Sequence, residues 1–209
     1  MNGFTPITTA ITVVTLALSM WSFQSTEIRD KLIFNPYRIK RNREWYRFLT
    51  AGFIHADFGH LLFNLVSFFF FGPFVESIFL YHFDSLGPVF FALMYVLAII
   101  ASSIFSYFKH QDDYAYLALG ASGAISAVIF SSILFDPWDN RICIYFVFCL
   151  PPLVFGIVYL MFSQYMARRG QDNIGHDAHF WGAVFGFIFP ILLKPSLIVD
   201  FFNNVKSRF

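Results

Sequence analysis

Four polar residues of this 209-residue chain, His60, Asn64, Ser122 and His179, fall inside stretches that are otherwise almost entirely apolar. A polar group in such a setting must be compensated by a partner, which makes it a functional candidate by default. Ser122 lies in Gly120-Ala121-Ser122-Gly123. A helix starting there would point unpaired backbone N–H groups at an oxyanion developing on any carbonyl attacked by the serine hydroxyl. His179 opens the run Ala178-His179-Phe180-Trp181-Gly182, which continues to Gly186. A serine needs a base to become a nucleophile, and an imidazole can take that proton and return it to a leaving amine. His60 and Asn64 are four residues apart, hence on one helical face. With the Ser122 amide they can donate to a tetrahedral intermediate. Asp177 is two residues from His179, on the wrong helical face for contact, and no other acidic residue lies in the apolar stretches near it. The expected chemistry is hydrolysis by a Ser122-His179 dyad.

These groups act together only if their helices approach closely. Gly182 and Gly186 form a Gly-xxx-Gly face, which lets two backbones come together, and His179 shares that face. The Gly-rich start at Ser122 is the expected partner. Taken singly, Gly-x-Ser-Gly more often signals close packing, and a His60-Asn64 pair could be interhelical glue. His55 lies further out and reads as an interfacial histidine or turn cap.

The composition says where such a site must sit. Of all residues 57% are hydrophobic and 22% aromatic, 31 being Phe, and 13% are charged, about half the charged share of a soluble domain. Disorder is excluded by the apolar content and a net charge of +1. A water-soluble globule fits poorly, because so few polar side chains could not clothe its surface. With 14 Lys and Arg against 13 Asp and Glu, nucleic acid is not an expected partner. Cys143 and Cys149 stand in an apolar stretch and are expected to be free, buried thiols. An integral membrane protein is the remaining class.

Charge-free windows of about twenty residues mark the spans. The first runs from Gly3 to Thr26 and, lacking a basic start and a cleavage site, is expected to be retained rather than removed as a signal peptide. A polar segment, Glu27 to Asp57, holds eleven of the 27 charged residues. Further spans are expected over Phe58 to about Tyr81 and about Pro88 to Phe108. The window Tyr114 to Phe135 is split by Gly120 and Gly123, so its helix should run from near Ser122 to before Asp136. That length, about 21 Å at 1.5 Å per residue, is too short for a bilayer core of about 30 Å. Ser122 should therefore face a hydrated cavity below the membrane surface, reached by a non-helical loop. Pro151-Pro152 should begin the fifth helix after an extended or re-entrant lead-in over 142–150, and the last span is Ala178 to Leu193. The expected fold is all-α: one six-span membrane domain over 1–209, without repeats or a soluble domain. Ten of the fourteen basic residues lie on the side of the long polar segment, which the positive-inside rule would assign to the cytoplasm.

With these residues in place, the chain resembles the rhomboid family of intramembrane serine proteases. Three motifs carry the resemblance, in the family's order: His55-x4-His60-x3-Asn64, Gly120-x-Ser122-Gly123 and Ala178-His179-x2-Gly182-x3-Gly186. It covers the six spans, residues 5–193. It implies Ser122 as nucleophile, His179 as base, and His60 and Asn64 as oxyanion-hole side chains beside the Ser122 amide. Trp45-Tyr46-Arg47 looks like the aromatic-Arg motif of a partly membrane-embedded first loop, and Gly72-Pro-Phe-Val-Glu76 resembles the Gly-x-x-x-Glu ending of the second span. Arg47 and Glu76, like Gly120, Gly123, Gly182 and Gly186, are then structural. The resemblance also implies cytoplasmic termini, an active site opening outward beside a mobile fifth helix, and substrates cut next to a small residue in a transmembrane segment. No cofactor or metal is implied. Some members carry Tyr four residues after the nucleophile, stacked on the catalytic imidazole; here that position is Ser126, and whether Phe180 or Trp181 replaces that ring is open.

Two rival functions remain. A non-catalytic relative would bind or escort membrane clients, but such relatives usually lack the Ser or the His. A haem or metal carrier could use His55, His60, His176 and His179, yet that leaves the Gly-rich serine turn unexplained and no His-Glu-x-x-His motif exists. The expected protein is an intramembrane serine endopeptidase acting on transmembrane substrates in the bilayer. A six-span chain without appended domains leans toward a bacterial inner membrane, and oligomeric state is open.

Overall fold

The computed structural model describes residues 5–138, 142–144, 148–169 and 175–209. Ten α-helices follow one another among these residues: α1 (Pro6–Gln24), α2 (Thr26–Leu32), α3 (Pro36–Asn42), α4 (Arg47–Thr50), α5 (Phe58–Phe83), α6 (Gly87–His110), α7 (Ser122–Phe135), α8 (Pro152–Arg169), α9 (His176–Leu193) and α10 (Ser196–Lys206). Their starts follow local chemistry. Pro occupies the first turn of α1, α3 and α6, where its missing N–H costs nothing. Side chains of Ser25, Asn35 and Asp57 accept from the first-turn amides of α2, α3 and α5, satisfying donors the helices leave open.

Among the described residues, three helical stretches are long and apolar enough to cross a membrane: Pro6–Gln24, Phe58–His110, which holds both α5 and α6, and His176–Leu193. The distribution of side chains is that of a protein in lipid. Phe63, Phe69 and Phe70 on α5, Val13 and Trp21 on α1, and Ile157 and Met161 on α8 are exposed, whereas Thr8, Ser19, Ser102 and Ser131 are buried. Large apolar patches facing outward mark contact with a nonaqueous medium. The chain is an integral membrane protein.

α7 is the centre of the bundle, with almost every residue from Gly123 to Leu134 buried. It packs against α5, α6, α8 and α9, most extensively against α9. Its 14 residues begin at Ser122, as the two glycines imply. α8 begins at Pro152, and α9 starts at His176, two residues before the expected span. The start of the first apolar window at Gly3 lies outside the described residues.

Between α7 and α8 one expectation is refined and one corrected. The fold is mostly helical, and the lead-in to α8 takes the extended form, Ile142–Ile144 (β1) and Phe148–Leu150 (β2) pairing as antiparallel strands. These runs are rich in β-branched and aromatic residues, which suit an extended pleat better than a re-entrant coil. The cysteines are not free buried thiols: Cys149 is exposed and disulfide-bonded, and the register sets Cys143 opposite Cys149. A spacing of six inside a hairpin brings two residues face to face across the ladder.

The segment between α1 and α5 braces the loop that precedes α7. Phe34 and Ala118 exchange both backbone hydrogen bonds, at 3.0 and 3.1 Å, and the Gly120 amide donates to Ala51 O at 2.9 Å. Arg47 is fully buried and holds this segment together: Nη1 donates to Asp30 O at 2.7 Å and Ile33 O at 2.8 Å, and Nε pairs with Glu44. These carbonyls end α2, where a cation is favoured by unpaired carbonyls and the helix dipole. Glu76, buried on α5, performs the opposite service for α1. It accepts from the amides of Ile7 at 3.0 Å and Thr8 at 2.8 Å, and from the Thr8 hydroxyl at 2.7 Å.

Candidate active site

Ser122 is the first residue of α7, and the loop reaches it through Gly120, whose φ of +119° is strained for any residue with a Cβ. Space also demands glycine there, since a Cβ would lie 2.7 Å from His60 Cε1 and 3.0 Å from His60 Nε2. The first bond closing the helix runs from the Ile125 amide to Ala121 O at 3.0 Å. The N–H groups of Ser122, Gly123 and Ala124 thus have no intrahelical acceptor.

His179 stands near the start of α9, and its Nε2 lies 2.7 Å from Ser122 Oγ. Backbone contact between α7 and α9 sets this distance. A Cβ at Gly182 would overlap the Gly123 backbone, and one at Gly186 the Ala127 backbone. A Cβ at Gly123 itself would overlap the Ser102 hydroxyl of α6. With Nε2 unprotonated the hydroxyl donates to it, the geometry from which an imidazole can accept a proton as general base. Both residues are only partly buried. Asp177 points elsewhere, pairing with Lys109 of α6 at 3.1 Å.

His60 and Asn64 reach the site to different degrees. The His60 ring rests against Gly120, two residues before Ser122. Asn64 is buried, and its Nδ2 donates to the His60 carbonyl at 2.9 Å. Among the described residues no hydrogen bond joins either side chain to Ser122. An amide nitrogen carries two hydrogens, so Asn64 retains a second donor.

His55 is more than an interfacial residue or turn cap. It is fully buried, with Nδ1 2.9 Å from Ser19 Oγ of α1 and Nε2 accepting from the Ala121 amide at 3.4 Å. Ser19 Oγ in turn donates to Phe53 O at 3.0 Å, so its hydroxyl accepts from Nδ1–H. His55 links α1 to the residue preceding Ser122. Burial, reinforced by the nearby His60 and only partly opposed by Asp57, pushes its pKa down to about 4, so the ring is neutral at pH 7.

One residue at the site escaped the sequence reading. Tyr159 of α8 stacks on the His179 imidazole, with centroids 6.4 Å apart and planes 23° apart. Its hydroxyl lies 2.7 Å from Ser126 Oγ. Trp181 packs on Phe105 instead, at 6.0 Å. Serine at position 126 was the available signal, since it marks a missing ring beside His179; nothing local identified which ring replaces it.

A short helix that begins at a serine, with an imidazole within hydrogen-bonding distance, inside an apolar bundle, defines a membrane-embedded protein with a serine-histidine pair. The rhomboid domain matches residues 42–196, and the chain belongs to the rhomboid family. It is similar to "Putative rhomboid protease YdcA" of Bacillus subtilis (strain 168), 31% identical over 159 residues, or 72% of this chain and 68% of that protein. It is also similar to "RHOMBOID-like protein 12, mitochondrial" of Arabidopsis thaliana, 27% identical over 152 residues, or 65% of this chain and 42% of that one. A third relative, "Rhomboid-related protein 1" of Caenorhabditis elegans, is 29% identical over 178 residues, covering 79% of this chain and 44% of its own length. The chain thus spans less than half the length of the last two.

Proposed function

We propose that this protein is an intramembrane serine endopeptidase that hydrolyses peptide bonds in transmembrane segments of other membrane proteins. The observation that carries this reading is the 2.7 Å approach of His179 Nε2 to Ser122 Oγ at the open N-terminus of α7. His179 takes the hydroxyl proton as Oγ attacks the scissile carbonyl carbon, giving a tetrahedral intermediate. Its oxyanion is met by the Ser122 N–H, with the His60 and Asn64 side chains as further donors. His179 then returns the proton to the leaving amine as the C–N bond breaks. Water, deprotonated by the same imidazole, cleaves the resulting ester and restores the serine.

The surrounding architecture fits this chemistry. We place α1, α5, α6, α7, α8 and α9 as six spans of a single domain over 1–209, with residues 27–57 partly embedded at one membrane face. Trp45 and Tyr46, 55% and 50% exposed, suit the headgroup region. We assign the protein to a bacterial cell (inner) membrane, with termini in the cytoplasm and the site opening outward; a Bacillus subtilis protein is among its relatives. A cysteine introduced at Arg41 should then react with an impermeant thiol reagent in intact cells. Protection there would invert the orientation, in line with the basic residues concentrated on that side.

The decisive assay uses purified protein in liposomes with a panel of labelled transmembrane peptides. Ser122→Ala and His179→Ala should each lower cleavage by at least about a thousandfold. Cleavage that survives Ser122→Ala overturns the dyad. A parent protein that cleaves no peptide and is not labelled by a serine-directed phosphonate is a client-binding protein instead.

A further inference from the structure

Tyr159 is joined to both members of the Ser122-His179 pair. Its ring lies along the His179 imidazole, 6.4 Å between centroids and 23° from parallel, within the range of an offset stack. The ring is itself held by Phe155 of α8 and Phe130 of α7, each 5.7 Å away. At the other end, Ser126 Oγ donates to the Ser122 carbonyl at 2.9 Å. The Ser126 proton is thereby committed, so in the 2.7 Å contact the Tyr159 hydroxyl is the donor. A continuous connection runs from the imidazole face through Tyr159 and Ser126 to the backbone of Ser122.

An imidazole has a broad, two-fold preference about its outer torsion. The hydrogen bond to Ser122 Oγ fixes the position of Nε2 rather than the ring plane, and His176 meets the imidazole edge-on at 5.9 Å. A flat partner on one face sets the plane directly. We propose that Tyr159 is the positioning residue for His179: its ring fixes the imidazole plane, and Ser126 anchors that ring in register with Ser122. α8 then belongs to the site as well as to its wall, because any displacement of α8 separates the ring from the base. This inference rests on the serine-protease reading.

The test compares Tyr159→Leu, Tyr159→Phe and Ser126→Ala in the full-length protein. Four quantities are measured: kcat and KM on a cleaved peptide, phosphonate labelling of Ser122, the ring-proton NMR shifts of His179, and the unfolding midpoint. Tyr159→Leu should lower kcat and the labelling rate about a hundredfold, the scale of a misplaced catalytic group, with KM close to that of the parent. It should also abolish the upfield ring-current shift on His179. Tyr159→Phe keeps the stack and should restore the NMR shift, and kcat to within about fivefold, the scale of one neutral hydrogen bond. Ser126→Ala should fall in the same range. If Tyr159→Leu loses its fold, Tyr159→Met replaces it as the stackless variant. An active parent whose Tyr159→Leu and Tyr159→Met variants keep the parental kcat overturns the role of Tyr159 alone. Tyr159→Phe as impaired as Tyr159→Leu overturns the stack in favour of the hydroxyl. A parent that neither cleaves nor labels defeats the protease reading, and the positioning role with it, even with the ring-current shift intact.

Discussion

On its α9 flank α7 is held by shape, whereas at its N-terminus it is held by hydrogen bonds. Along the flank, Gly182 and Gly186 bring the α9 backbone directly onto Gly123 and Ala127. At the N-terminus, Phe34, Ala51 and His55 engage the backbone of Ala118, Gly120 and Ala121. The difference follows from what each region leaves unpaired. The side of a helix has its backbone satisfied internally and needs only close packing, even in lipid. The non-helical approach to a helix leaves backbone groups unpaired, and at Ala118, Gly120 and Ala121 these are matched by protein. The polar segment between α1 and α5 supplies that match, and within it Glu44 pairs with both Arg38 and Arg47. Burial pushes the Glu44 carboxyl up, but hydrogen bonds from Arg47, Asn42 and Arg38 outweigh this and hold it below the usual carboxylate range.

The shape-held flank should be the less forgiving of the two. Gly186→Val places three carbons where the Ala127 backbone lies, and no rotamer relieves an overlap that starts at Cβ. Overpacking usually costs about 1–3 kcal/mol; here two backbones must part, so the loss should exceed about 3 kcal/mol. Thermal unfolding in detergent should show a collapse of the midpoint or no folded monodisperse protein. A Gly186→Val variant of parental stability would mean that the two helices do not touch at this level. Gly186→Ala should fall between.

The polar hold should break in smaller, separable steps, as Glu76 on α5 allows to be measured away from the site. Glu76→Ala strands the amides of Ile7 and Thr8 and the Thr8 hydroxyl. Orphaned buried donors cost about 1–3 kcal/mol each when nothing relaxes. Since Ile7 is only half-buried and α1 can fray, a total of about 3 kcal/mol is expected. Glu76→Gln keeps one acceptor oxygen, for the two Thr8 donors, but sets its NH2 against the Ile7 N–H, and should lose about 1–2 kcal/mol. Activity per folded molecule should not change in either variant; a kcat effect would join the α1 cap to the chemistry.

These two kinds of hold also differ in how far the sequence discloses them. Gly-xxx-Gly spacing is local, and it predicted that α9 would bring His179 to a helix beginning at Ser122. Two helix starts were equally local, resting on Pro151-Pro152 and on a serine set between Gly120 and Gly123. The polar contacts were not. Tyr159 and Ser126 are thirty-three residues apart, and no periodicity relates them. His55 looked peripheral because its partners, Ser19 and Ala121, come from two other elements. The cysteines were misread for a related reason: an apolar neighbourhood suggested burial, whereas hairpin register, a two-strand property, decides what faces Cys149.

Acid should distinguish the two holds by a modest amount. His55 has a folded pKa of about 4 against an ordinary 6.5. Between those values the unfolded chain binds a proton that the folded one does not, so stability falls as pH falls through this window and levels off below about 4. The groups acting on the ring are Ser19 and the Ala121 amide by hydrogen bonds, with His60 and Asp57 by charge. From about pH 7 to about pH 5.5 the expected loss is about 1 kcal/mol. His55→Gln, which keeps a donor and an acceptor without titrating, should flatten this slope at some cost in stability at neutral pH. The Gly182 and Gly186 contacts carry no titratable group, so a Gly186→Ala variant should keep the parental slope while starting from a lower midpoint. Equal slopes in the parent and His55→Gln would remove His55 as the acid-sensitive point of the polar hold.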